Sequence, residues 1–466
     1  MNYIPSAYDG SWREPQWQRL LSELGSDYRA KGIVDAFRTL YSIYTDDLVI
    51  WYANLYDPYI GGYYCTMSGK MNEGFLPDIE SSKQAMNFLD GSGLVDHVGG
   101  DWRNAVPEWM KTKFIRLAKR MQEPNGYFYN LLKKQEQIDA YIAKRGRDLS
   151  WCTWFLRELG AKPTYDTPDG MKGDGLDVDG KPVCDFVRAD TTADRPAAAT
   201  KYPEYLENKE TFLRYLNDTV DIVGKSYYYG NQLNATYNEI RARDLALRAE
   251  GADYSLCDVL INWLNERINP ETGYWSPLPT FAGTNGFFKV ITLYNVWGYK
   301  YPTLERAVES VIAGILGDEP TTKNSCEVYN LWSALISAQG NAKRCYDPES
   351  CDRILRNIRG VMLDNGAEAI LNTYRKQSRY QMPDGAFSHN IERCLTAHQG
   401  GIQVGMGLEE GDVDAISRGT YGITSNMFTA LGTSEVRIYG EREWNIYRSI
   451  LESSRPVIKT DTKVYR

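Results

Sequence analysis

Apolar residues along this chain recur mostly at three- and four-residue steps, the period of helices that bury one face. Ile33, Phe37, Leu40, Tyr44, Leu48, Trp51 and Leu55 form one such series. Trp109, Phe114, Leu117 and Met121 form a second, and Leu256, Leu260, Trp263, Leu264 and Ile268 a third. Further helices are expected over 212–224, 304–317, 326–338, 352–363 and 442–453, about twelve in all, and strand-like alternation is scarce.

These helices lead into similar turns. "YDPYIGGYY" occupies 56–64, "QEPNGYFYN" 122–130, "NPETGYWSP" 269–277 and "QMPDGAFSH" 381–389. In each, proline presets φ early and glycine accepts positive φ later. A second helix follows at a distance, in "SSKQAMNFL", "SWCTWFLRELG" and "ITLYNVWG", and after a longer gap in "TSNMFTALG". Several of these stop at Leu-Gly or Trp-Gly, the mark of a glycine at the helix C′ position. The unit is helix, turn, ordered loop, helix, glycine stop. Such hairpins stack to bury one another's apolar stripes, and closing the stack into a ring removes both exposed ends.

The turns "QMPDGAFS" and "NPETGYWS", with the helices that follow them, resemble the repeats of the α/α-toroid superfamily. That group holds six-hairpin glycosidases, polysaccharide lyases, sugar epimerases, terpenoid cyclases and protein prenyltransferases. The resemblance spans about residues 30–435. It implies an all-α fold, an (α/α)6 toroid of helical hairpins with long loops on one face. Residues 1–30 then read as an N-terminal helical extension, and 31–466 as the toroid domain with a loop insertion at 162–203. That insertion is rich in Asp, Gly and Pro and has no helical period, so it reads as a lid, a rim loop or a surface excursion. Its "DGLDVDG" lacks the ligand spacing and terminal Glu of a calcium loop.

Composition narrows the functions. The net charge is −8, without a basic run, so nucleic acid is not an expected partner. No stretch approaches the length of a membrane span, and the first residues lack a secretory leader pattern. The eight cysteines are scattered without a C-x-x-C, which reads as reduced thiols in a cytoplasmic protein, with Cys345 and Cys351 the one spacing that allows a pair. The 34 Tyr and 12 Trp against 3 His suit the wall of a wet cavity as well as a core.

The toroid resemblance implies a ligand funnel lined by loops, which directs attention to polar residues at turn-to-helix junctions. Asp78 and Glu80 in "FLPDIESS" read as helix caps or as acid–base groups; an extended backbone there would point them to opposite faces. Glu327 starts another helix, and Asn285 and Lys289 precede an apolar one. The segment 383–422 carries His389, His398, Glu392, Glu409, Glu410, Asp412 and Asp414 among many glycines. His97 reads as structural.

From the resemblance, the expected function is that of a glycoside hydrolase acting on oligosaccharides. Asp78 or Glu80 on one rim would pair with Glu410 or Asp412 on the other, since hydrolysis needs two carboxylates flanking the bond. Tyr63, Tyr64, Trp102, Tyr127 and Trp275 would stack on sugar faces, with Asn285, Lys289 and Glu327 as further contacts. A polysaccharide lyase or sugar epimerase, using His389, tyrosines and Lys289, is the alternative within carbohydrates. Terpenoid cyclisation or prenyl transfer would need a D-x-D-D run or a zinc and diphosphate site, and "EGDVDA" falls short of the former. A non-catalytic scaffold is the remaining class. No metal is expected, because the histidines are far apart with no H-x-x-x-H. No cofactor is expected either, since phosphate-binding glycine loops and G-x-S-x-G are missing.

Overall fold

The computed structural model describes residues 10–132, 141–183, 202–317 and 324–456. It is predominantly helical, with 62% helix and 4% strand. The described α-helices are α1 (Glu14–Leu24), α2 (Tyr28–Tyr41), α3 (Asp46–Asn54), α4 (Met67–Met71), α5 (Ile79–Gly91), α6 (Trp102–Ala105), α7 (Glu108–Met121), α8 (Ile142–Glu158) and α9 (Lys209–Thr219). They continue with α10 (Ser226–Ala249), α11 (Leu256–Asn265), α12 (Phe281–Trp297), α13 (Leu304–Leu316), α14 (Ser325–Cys345), α15 (Pro348–Gln377), α16 (Val413–Gly419), α17 (Tyr421–Leu431) and α18 (Glu441–Ser454). The described strands are β1 (Ala397–His398) and β2 (Ile402–Gln403), a small antiparallel hairpin.

Helix packing follows a cyclic order. Helix α5 packs on α8, α8 on α10, α10 on α12, α12 on α14, α14 on α16 and α17, and α16 returns to α5. Outside them, α7 lies on α8, α11 on α10, and α13 and α15 on α14, while α2 runs along α15 and α18 along α3.

The repeated turns share a backbone design. In them Asp57 N–H donates to Gly62 O, Glu123 to Tyr127, Asn269 to Tyr274 and Met382 to Ala386. The turn glycines also explain the spacing between hairpins. Gly273 has φ +76°, and a Cβ there would lie 2.4 Å from Ala307 N in the first turn of α13. Gly385 has φ +79°, and its Cβ would lie 2.6 Å from Asp47 Cβ in the first turn of α3. Only glycine has both the left-handed conformation and the room for such an approach. The last of the four turns thus rests on the first outer helix that carries one.

Two helices exceed the sequence expectation. Helix α10 has no clean apolar stripe because it is covered by α8, α11 and α12 and buries Asn231, Gln232, Thr236, Glu239 and Asp244. Helix α15 runs well past 352–363, with charged residues exposed between the positions that meet α2 and α14. Of the insertion at 162–203, residues 184–201 lie outside the described residues. Its first part docks on the second turn, where Gln122 Nε2 donates to Tyr165 O and Tyr165 N–H donates to Gln122 Oε1 at 2.9 and 3.0 Å. Among the described residues no helix is long and apolar enough to cross a membrane.

Candidate functional site

A cavity of about 440 Å³ lies among α5, α8, α10, α12, α14, α16 and α17. Amides from Gln84, Asn87, Asn234 and Asn426 line it, with rings from Trp151, Tyr237, Phe288, Tyr329 and Tyr421. Three cationic side chains, Arg147, Lys289 and Arg418, also face it, and among the described residues no carboxylate does. Such a mixture of convergent polar groups and rings is how small polar ligands are held.

Lys289 is the unusual member. Its ammonium lies 4.8 Å from the Phe288 ring centre and makes no hydrogen bond or ion pair among the described residues. Burial pushes its pKa down to about 7, and the nearby Arg147 and Arg418 charges push the same way. Arg147 and Arg418, in contrast, each reach a carboxylate behind the cavity wall.

That wall is a buried charge cluster. Glu80 accepts from Lys144 Nζ at 3.1 Å and from Arg147 Nη1 at 3.0 Å. Lys144 also donates to Asp148 at 2.6 Å. Asp78 caps α5, accepting from Ser81 N–H at 3.0 Å and Ser81 Oγ–H at 2.6 Å. His398, placed by the β1–β2 hairpin, lies 3.5 Å from Asp78, 4.0 Å from Glu80 and 3.8 Å from Asp414. Arg418 Nη1 approaches Asp414 at 3.7 Å.

Asp78 and Glu80 therefore both approach His398 rather than pointing to opposite faces, because 79–91 is helix from its first residue and Asp78 is its cap. Burial opposes both carboxylates, but His398, Lys144 and, for Glu80, Arg147 hold them below their usual range. Burial opposes a charged His398 too, yet the three surrounding carboxylates raise its pKa to about 9. Burial lifts Asp148 to about 6 despite Lys144.

Glu80, His398 and Asp414 each offer one ligand atom, all within 4.8 Å of one another, so among the described residues these three could hold a metal ion. Both Glu80 oxygens, however, already face cations. Four carboxylates (Asp78, Glu80, Asp148, Asp414) against Lys144, Arg147 and Arg418 leave one negative charge, which a proton on His398 balances. The sequence spacing gave no sign of this grouping, since the ligand atoms come from α5, a hairpin and α16.

Beside the cluster is a thiol group. Cys326, at the start of the 21-residue α14, has Sγ 3.6 Å from His389 Nδ1 and 2.8 Å from Arg418 Nη1. Burial opposes the thiolate, but Arg418 and His389 outweigh it and bring the pKa down to about 7. Burial opposes a charged His389, and Cys326 raises it to about 9. Asp412 caps α16 and accepts from the backbone N–H of His389 at 2.6 Å and of Leu395 at 3.0 Å. Burial lifts its carboxyl to about 6.

The remaining expected residues have other places. Glu410 accepts from Ser68 N–H at 3.0 Å and Cys394 Sγ at 3.3 Å. Tyr63 stacks on Tyr52 at 5.2 Å, and Trp102 on Trp154 at 5.3 Å. Tyr64 donates to Asp57, Tyr127 donates to Glu239, and Trp275 Nε1 donates to Leu264 O. Asn285 is buried with its Oδ1 unpartnered, and Glu327 lies in the first turn of α14. His97 borders a separate groove with Trp12 and Arg437. Of the thirteen residues expected from the sequence in catalysis or sugar contact, Lys289 alone lines the cavity.

Arg147, Trp151, Tyr329, Arg418 and Cys326 were not singled out. Their signal was faint: a charge or thiol within an apolar helix, as in "SCEVYNLW" and "VDAISRG". The seven described cysteines are free thiols, and Cys184 lies outside the described residues. Comparisons with protein-family models, curated proteins and solved structures find no match.

Proposed function

We propose that this chain is an α/α-toroid enzyme acting on an anionic carbohydrate, a uronate-bearing sugar, at the cavity ringed by α5, α8, α10, α12, α14 and the α16–α17 pair. The cyclic packing order and the Gly385 turn resting on α3 support the closed ring. The observation that carries the ligand class is Lys289, unpaired among the described residues, with Arg147 and Arg418 in a cavity that no described carboxylate lines. A sugar carboxylate would supply the missing counter-charge, and guanidinium groups hold carboxylates through charge-assisted bonds. The amides suit hydroxyls, and Trp151 or Tyr237 suits a sugar face.

This favours the lyase or epimerase side of the sequence expectation over the hydrolase. Asp78, Glu80, Glu410 and Asp412 do not line this cavity, and Glu80 is held ionised by two cations, the wrong state for a general acid. In a lyase or epimerase, the cations neutralise the uronate carboxylate and so ease removal of the adjacent ring proton. Tyr329 beside Arg418 would take that proton. In a lyase the freed electron pair forms the C4–C5 double bond as the C4–O bond breaks and the leaving oxygen takes a proton from water; in an epimerase a proton is returned to the opposite face of the same carbon.

The test is turnover of uronate-containing oligosaccharides, followed by ultraviolet absorbance of an unsaturated product and by proton exchange at C5. Either signal, lost in Lys289→Met and Arg418→Gln, supports the reading. Turnover of neutral oligosaccharides alone, dependent on Asp412, would return the assignment to the hydrolase.

A further inference from the structure

The proposed sugar chemistry makes no use of Cys326, although this thiol has the most strongly prepared surroundings of the described cysteines. The others are held up by burial, or show no such pairing: burial and nearby carboxylates push the thiols of Cys65 and Cys152 up, and Cys257 and Cys394 are raised to about 12. Cys326 alone has an imidazole at 3.6 Å and a guanidinium at 2.8 Å from sulfur. It also sits in the first turn of a long helix, where the dipole favours negative charge.

The partners are themselves held. The His389 backbone is anchored from both sides, its N–H donating to Asp412 and its C=O accepting from Ser325 N–H at 3.0 Å, which holds this residue next to the start of α14. Arg418 touches Sγ with one face of its environment and lines the cavity with another. A ligand in the cavity is thus one side chain from the thiol. The second pointer to a ligand is Lys289, which lines the same cavity as Arg418 and makes no hydrogen bond or ion pair among the described residues.

We propose that Cys326 is a nucleophilic thiolate, kept as an ion pair with His389, that forms a covalent bond with a carboxylate-bearing electrophile drawn in by Arg418, Lys289 and Arg147. With a haloacetate, the sulfur lone pair forms the S–C bond, the C–halogen bond breaks and halide leaves with its electrons; no proton moves. With an ester of the same charge, attack forms a thioester, the C–O bond breaks and the departing alkoxide takes the proton of the His389 imidazolium. The groups that set the pH response are Arg418 and Asp414 on α16, His389 and Asp412 ahead of it, Tyr227 on α10, Lys289 on α12 and Tyr329 on α14. The inference stands whether or not the natural ligand is a uronate.

Iodoacetate and iodoacetamide are the probes, on the intact chain, with the alkylated peptide mapped by mass spectrometry. An ordinary thiol titrates near 8.5. The expected result is stoichiometric labelling at Cys326, with iodoacetate reacting at least about tenfold faster than iodoacetamide, a ratio that 1.4 kcal/mol of charge attraction produces. The rate should rise through about pH 7. Lys289→Met should lower the iodoacetate rate by a larger factor than the iodoacetamide rate, and His389→Gln should shift the profile upward. Labelling that is slower at Cys326 than at Cys345 or Cys351, a profile centred near that of a free thiol, or no preference for the anionic reagent would each overturn the proposal.

Discussion

The guanidinium of Arg147 joins two environments: Nη1 donates to Glu80 Oε1 at 3.0 Å inside the protein, while the same side chain lines the cavity. Glu80 thereby fixes a cation at the ligand's side of the wall. Glu80→Gln should leave Lys144 with Asp148 as its carboxylate partner in contact, and breaking a buried pair this way costs about 3–5 kcal/mol. A fall in the thermal midpoint together with weaker anion binding is expected. Unchanged stability would mean the cluster contributes little.

His398 makes stability depend on pH. Its folded pKa is raised from 6.5 to about 9, so its contribution is fully present below about 6.5 and is lost as pH rises through about 9. The thermal midpoint of the wild type should therefore decline across that window more steeply than that of His398→Gln, measured in parallel by calorimetry. Parallel curves would show that the imidazole is neutral in the fold.

The turn glycines give a packing test. Gly385→Ala forces a left-handed conformation on alanine, about 1–2 kcal/mol, and presses Cβ within 2.6 Å of Asp47 Cβ. Gly360, exposed in α15 with nothing within 4 Å, is the control: alanine there should be neutral or stabilise by up to about 1 kcal/mol. Equal midpoints for the two variants would remove the argument that the fourth turn docks on α3.

The aromatic residues separate core from cavity. Trp275 is buried and bonded to Leu264 O, so Trp275→Phe should lower stability by about 1–3 kcal/mol without altering ligand affinity. Trp151→Ala should do the reverse, weakening ligand binding at little cost in stability. Titration calorimetry and thermal melts on both variants distinguish the two roles.

The repeat of turn and helix was readable because Pro and Gly at 58–62, 124–126, 270–273 and 383–385 impose local backbone geometry that does not depend on distant contacts. The apolar period found the outer helices for the same reason: α7 and α13 each bury a single stripe. It missed α10, whose buried positions include Asn231, Glu239 and Asp244, because a helix covered on several sides loses its stripe. The site was largely hidden. Lys289 was visible as a charge between Phe288 and Val290, but the pairing of Cys326 with His389 and of Glu80 with Lys144 joins residues 63 and 64 positions apart. Tertiary folding alone brings them together, and the tyrosines and tryptophans that looked like sugar platforms went into the core, where rings bury the most area.

The most direct test of the account is calorimetric titration of a uronate-containing disaccharide and its neutral counterpart into the wild type and Lys289→Met. The account predicts that the wild type prefers the uronate by tenfold or more, about 1.4 kcal/mol, and that Lys289→Met loses this preference while still melting cooperatively. Equal affinity for the two sugars in the wild type, or a uronate preference that survives in Lys289→Met, would contradict it.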